Sequence, residues 1–90
     1  MTIPLSVLDL VPVPPGANSA QAFANSVELA RLAEELGYRR YWIAEHHNTA
    51  SFISSATELV IATVARETER IRVGSGGIML PNHSPLRIAE

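Results

Sequence analysis

Glu45, His46 and His47 place a carboxylate and two imidazoles side by side. Such groups accept, hold or pass a proton near neutral pH. Histidine titrates at about 6.5, and a nearby carboxylate can orient its ring or raise that value. The triplet follows Tyr41-Trp42-Ile43-Ala44, an apolar run like that of a parallel strand buried on both faces. It therefore falls at a strand's carboxyl end, where α/β folds collect catalytic groups. Ser75-Gly76-Gly77 is the second stretch of chemical interest. Its glycines let another group approach the main chain closely. Each stretch also has a plain reading: a polar strand end facing water, and a bulge without a ligand. Neighbouring strand residues point to opposite faces, so His46 and His47 diverge. That divergence, and the lack of an H-E-x-x-H helical spacing, argue against a metal site. His83 reads as a loop residue ahead of a helix cap.

Alternating strands and helices must position these groups. Leu5 to Leu10 is short, rich in branched apolar residues and bounded by prolines, as a first strand would be. Val11 to Gly16 carries three prolines and can neither continue a ladder nor enter a helix interior. Asn18 with Gln21 has the form of a capping box. Phe23, Val27, Ala30 and Leu36 share a helical face, widened by Leu29, Leu32 and Ala33. Arg31 is spaced for surface pairs with Glu28 and Glu35. Gly37 stands where a left-handed residue ends a helix, and the strand carrying the triplet follows. Ser55 to Glu58 is a second capping box, opening a helix that runs to about Thr68. Arg70 to Gly74 enters a third strand. Ser84 and Pro85 open a third helix as cap and first turn.

Composition narrows the class. The chain has 90 residues, enough for one domain and too few for two. It is 47% hydrophobic and 18% charged, as globular chains are. The net charge is -2, with 7 basic residues that are all arginine, and no basic run to bind nucleic acid. Cysteine is absent, which removes disulfides and thiolate metal sites. No apolar stretch approaches the roughly 20 residues of a membrane span. The amino terminus lacks the basic region of a signal peptide. The expectation is a cytoplasmic protein with no membrane or nucleic-acid partner.

The β-α-β-α-β-α order means a parallel sheet with right-handed crossovers. With strands in order 1-2-3, both helices cover one face and leave the other bare. Some six strand side chains at roughly 1.5 kcal/mol each would stay unburied, on the order of 10 kcal/mol. Whole-domain stability is only about 5 to 15 kcal/mol. Curling into a (βα)8 barrel of about 250 residues would bury that face. The fold expected is α/β, with residues 1–90 as the first three-eighths of one such barrel. A self-contained sheet of order 2-1-3 competes but leaves the polar strand ends unexplained. No G-x-G-x-x-G follows the first strand, so a dinucleotide fold lacks support.

Several pieces together resemble the amino-terminal part of the bacterial luciferase-like, flavin-dependent monooxygenases. They are Leu5-Ser6-Val7-Leu8-Asp9, Gly37 to Trp42, Ala44-Glu45-His46-His47, Ile71 to Pro81, and His83-Ser84-Pro85-Leu86. Each is weak alone; in this order and spacing they are specific. The resemblance implies a (βα)8 barrel. It implies reduced flavin mononucleotide (FMN) with oxygen, or in some branches the deazaflavin F420. A small-molecule substrate, a flavin reductase partner and pairing of copies through early helices also follow from it. His46 matches the family position assigned to proton transfer, and Glu45 and His47 its neighbours. Ser75, Gly76 and Gly77 match a bulge behind the flavin ring, with Gly76–Gly77 the candidate for a cis peptide. The family's phosphate-holding loops lie outside this chain. A non-catalytic fragment that binds flavin or assembles with its own copies is the alternative.

Overall fold

A computed structural model describes residues 2–90. It contains β1 (Ser6–Asp9), α1 (Ser19–Glu35), β2 (Arg40–Ile43), a 3-10 turn (Ser54–Ala56), α2 (Thr57–Arg66), β3 (Arg72–Ser75), a second 3-10 turn (Leu80–Asn82) and α3 (Pro85–Ala89). The sheet order is β1-β2-β3, all parallel, which sets aside the 2-1-3 alternative. Ser6, Arg40 and Arg72 lie in one row across the sheet, and Leu8, Trp42 and Gly74 in another. This is the opening β-α-β-α-β-α portion of a (βα)8 barrel.

Helix α1 begins as expected: Asn18 Oδ1 accepts the Gln21 N–H at 2.9 Å. Gln21 does not close the box, because its side chain donates to Asn25 instead. Gly37, at φ +84°, turns the chain toward β2. The buried stripe is Ala22, Ser26, Ala30 and Ala33, rotated from the expected one. Small residues there let the helix lie close on the sheet, while Leu29, Leu32 and Leu36 stay exposed. Arg31 pairs with neither Glu28 nor Glu35. It reaches across to the Glu67 carboxylate at 2.5 Å and to its carbonyl at 3.1 Å.

Helix α2 departs from expectation at both ends. Ser54–Ala56 forms a 3-10 turn, so no Ser55 capping box exists, and Thr57 Oγ1 donates back to Ser54 O. The helix stops at Arg66, and Thr68 Oγ1 caps the Val64 carbonyl. The following turn is held by Glu34 of α1, whose carboxylate accepts the N–H groups of Glu69, Arg70 and Ile71. Those bonds, from Ile71 first and then Arg70, hold the Glu34 carboxyl below its ordinary value.

The core is Val11, Ala22, Ala30, Ala33, Tyr41, Ile43, Val60, Val64 and Ile71, on the helical side of the sheet. The far face carries only two large apolar strand side chains: Leu8, 58% exposed, and half-buried Trp42. Ser6, Arg40, Arg72 and Gly74 make up the rest of its rows. Unrealised burial on this face is therefore about 3 to 5 kcal/mol, not the 10 expected. The strands alternate instead of being apolar on both sides.

Candidate functional site

Past the named strands the ladder continues for one residue on each side of β2. Ala44 N donates to Asp9 O at 3.0 Å, and Gly76 N to Ile43 O at 2.9 Å. Glu45 leaves the sheet immediately beyond this rung, with its side chain only 3% exposed. The Glu45 carboxylate bonds His47 Nε2 at 2.6 Å and His83 Nε2 at 3.0 Å, and accepts weakly from Met79 N at 3.4 Å. Burial pushes the Glu45 carboxyl up, but the bonds from His47, His83 and Met79 outweigh it and hold it low. Glu45 thus stays an acceptor that clamps two imidazoles, one from its own strand end and one from the turn before α3.

His46 is not part of that clamp. Its ring packs on Phe52, with centroids 4.9 Å apart and planes tilted by 34°. Its Nδ1 is closed off from solvent, with no hydrogen-bond partner among the described residues. Glu45 and His46, adjacent in sequence, therefore serve different clusters. His83 was not singled out in the sequence because its partner lies 38 residues earlier. The one signal available was its place in the His83-Ser84-Pro85-Leu86 piece.

The glycine segment begins where β3 ends. Ser75 Oγ donates to Gly77 O at 2.6 Å and accepts from Gly77 N at 3.3 Å, folding a tight local turn. All peptide bonds among the described residues are trans, so the cis peptide expected at Gly76–Gly77 is absent. The trans form is favoured by about 3 to 4 kcal/mol away from proline, and the Ser75 bonds shape the turn without it. A Cβ on Gly76 would come within 2.9 Å of Leu8 Cδ1 and 3.4 Å of Trp42 Cβ. At Gly77 a Cβ would meet nothing within 4 Å. A groove of about 280 Å³ lies here, lined by Leu8, Ala44, Glu45, Gly76, Gly77, Ile78 and Met79. Its apolar walls and bare glycine backbone suit one side of a flat ring. No arginine lines it. His46 does not line it either.

Residues 3–90 match the family described as luciferase-like monooxygenases. The chain belongs to that family. A luciferase-like monooxygenase of Escherichia coli K12 is 55% identical over 89 residues, covering 99% of this chain and 27% of the relative. The N-acetyl-S-alkylcysteine monooxygenase of Bacillus subtilis 168 is 42% identical over 88 residues, covering 98% of this chain and 26% of its own. Among solved structures, apo-MsnO8 superposes with a TM-score of 0.92 at 48% identity, over 98% of this chain and 26% of that one. The oxygenating constituent of 3,6-diketocamphane monooxygenase from Pseudomonas putida, solved with FMN, gives 0.87 at 25% identity, over 99% and 25%. The chain thus spans about a quarter of the luciferase-like relatives it matches. No helix among the described residues is long and apolar enough to cross a membrane.

Proposed function

We propose that residues 1–90 form the opening part of one barrel domain and the first wall of a flavin site. The reaction is oxidation of a small organic molecule by reduced FMN and oxygen. When bound, reduced FMN supplies two electrons, so that one oxygen atom enters the substrate and the other leaves as water. FMN is preferred over F420 because the diketocamphane relative was solved with FMN. Ser75, Gly76 and Gly77 offer the backbone surface on which the ring rests, and the phosphate is held by residues outside this chain. His46 serves the proton-transfer step as a hydrogen-bond donor through Nε2–H, since its Nδ1 is closed off. Glu45 positions the strand end by clamping His47 and His83. A flavin reductase and further copies of the chain are the partners this reading implies.

The strand-end constellation carries the proposal: proton-bearing side chains beside a bare glycine groove at the carboxyl ends of parallel strands. The test joins these ninety residues to the remaining three-quarters of the Bacillus relative and measures sulfur-substrate turnover and FMN affinity. His46→Ala should lower turnover by about 10²- to 10⁴-fold with FMN affinity within a few-fold. His47→Ala should cost about 1 kcal/mol of stability and little rate. Normal turnover in His46→Ala with loss in His47→Ala would reverse the two assignments.

A second reading is favoured by the uncovered far face. In it the ninety-residue chain by itself is a non-catalytic, self-assembling or flavin-binding protein. Flavin fluorescence titration separates the two. Quenching at micromolar or lower concentrations by the chain alone supports the second, and no quenching below millimolar supports the first.

A further inference from the structure

We infer that Asp9 is a positioning residue for the His46 ring, acting through a clasp between the first two strand-end loops. This rests on the reading of His46 as serving the proton-transfer step. Asp9 closes β1 and is buried. Its Oδ2 accepts from Ser26 Oγ at 2.6 Å and Tyr41 Oη at 2.5 Å, which ties α1 and β2 to one carboxylate. Its Oδ1 accepts from Val11 N at 2.8 Å. Val11 is fully buried and sits at φ +53°. A β-branched residue in that region is strained and persists only where its surroundings over-determine it. The Asp9 bond to its N–H is the most direct such restraint.

The kink at Val11 aims the next residues at the loop after β2. Ile53 N donates to Val11 O at 3.1 Å, and Val13 N donates to Ser51 O at 2.8 Å. Between these rungs Pro12 and Phe52 form an antiparallel bridge. Ser54 Oγ adds a bond to Leu10 O at 3.3 Å. Phe52 is therefore held from both sides, and it is the ring on which His46 packs. A buried N–H without a partner is rarer than an under-used acceptor lone pair. The seat on Phe52 thus keeps Nδ1 as a bare lone pair and leaves Nε2–H as the donor. Glu45 cannot do this, because its oxygens are engaged by His47 and His83.

The test uses the ninety-residue chain with its 3 histidines labelled with nitrogen-15, reading each ring separately. His46 should give two well-separated ring-nitrogen signals, with the proton on Nε2. In Asp9→Asn and in Phe52→Leu, that separation should collapse toward the averaged value of a free imidazole. His47 and His83, held by Glu45, should keep their signals, and Phe52→Tyr should restore those of His46. Phe52→Leu leaves the buried Asp9 network untouched, so it decides the matter should Asp9→Asn fail to fold. An unchanged His46 in Phe52→Leu, or equal movement of all the histidines, overturns the inference. Turnover in the joined barrel is a separate readout. If His46→Ala is fully active there while the ring still answers to Asp9, proton transfer fails and the positioning stands.

Discussion

Tyr41→Phe removes one oxygen atom from the centre of the fold. The ring is fully buried and keeps its place, so no cavity opens. The loss is the phenol's donation to Asp9 Oδ2 at 2.5 Å, supplemented by a longer contact to Ser26 O at 3.3 Å. Asp9 retains Ser26 Oγ and Val11 N. A hydrogen bond to a carboxylate contributes about 1.5 to 3 kcal/mol, and no longer burying a hydroxyl returns part of that. The expected cost is about 1.5 to 2 kcal/mol, or roughly 6 to 16 °C in Tm for a domain of this size. A second signature is alkaline. Burial, and then the Asp9 hydrogen bond, hold the Tyr41 phenol above its ordinary pKa of 10.0. Above about pH 10 the unfolded chain ionises this phenol and the folded chain does not. Its stabilisation is therefore complete below that pH and lost as pH rises, by up to about 1.4 kcal/mol per unit. Tyr41→Phe should abolish that alkaline loss. Urea midpoints from pH 7 to 11, at one fixed protein concentration, measure both effects. A variant as stable as its parent at pH 7, with the same alkaline decline, refutes the role given to the phenol.

Glu34→Gln should flatten the acid limb of the stability curve. The native carboxyl is held below its unfolded value, so its contribution is present above about pH 4.5 and fades as pH falls through the lowered value; acid titration followed by circular dichroism checks this. In the joined barrel, Gly77→Ala should keep the melting temperature, having open space for its Cβ, yet weaken FMN binding by obstructing the groove. Gly76→Ala should shift Leu8, an exposed and movable side chain, and cost less than about 2 kcal/mol in chemical unfolding. Sedimentation of the ninety-residue chain at micromolar concentration should show something other than a well-packed monomer; a compact monomer with a sharp thermal transition would count against the barrel-segment reading.

Local signals in the sequence found the elements well where side chain and backbone are close in the chain. The Asn18 cap, the Gly37 turn and the Ser84 cap are all in place. Partners across the chain were not legible. Arg31 had two nearer carboxylates at helical spacing but pairs with Glu67, because the loop after α2 is folded against α1. Glu34, a charged residue on the same helix with no local signal to mark it, gathers three backbone N–H groups from the turn before β3. At the site, the triplet identified the right strand end but not its division of labour. Alternation alone separates His46 from His47; it does not say that Glu45 sides with His47 or that His83 joins them. Asp9 was visible as the last polar residue of an apolar strand. Its role depends on Tyr41 and Ser26, 32 and 17 residues away.

The row Ser6, Arg40 and Arg72 sets two guanidinium groups on neighbouring strands of the uncovered face. Neither makes an ion pair among the described residues. Like charges directly opposite on paired strands oppose each other. Any second copy laid face to face would bring two more of the same sign. In relatives of which this segment is about a quarter, these strands leave the ribosome before most of the chain exists, at about 5 to 20 residues per second. Water-seeking cations at one end of the sheet keep the waiting surface from acting as an adhesive patch. The same arginines later present an unmet charge to whatever strands close over them, and favour a closing layer that brings carboxylates.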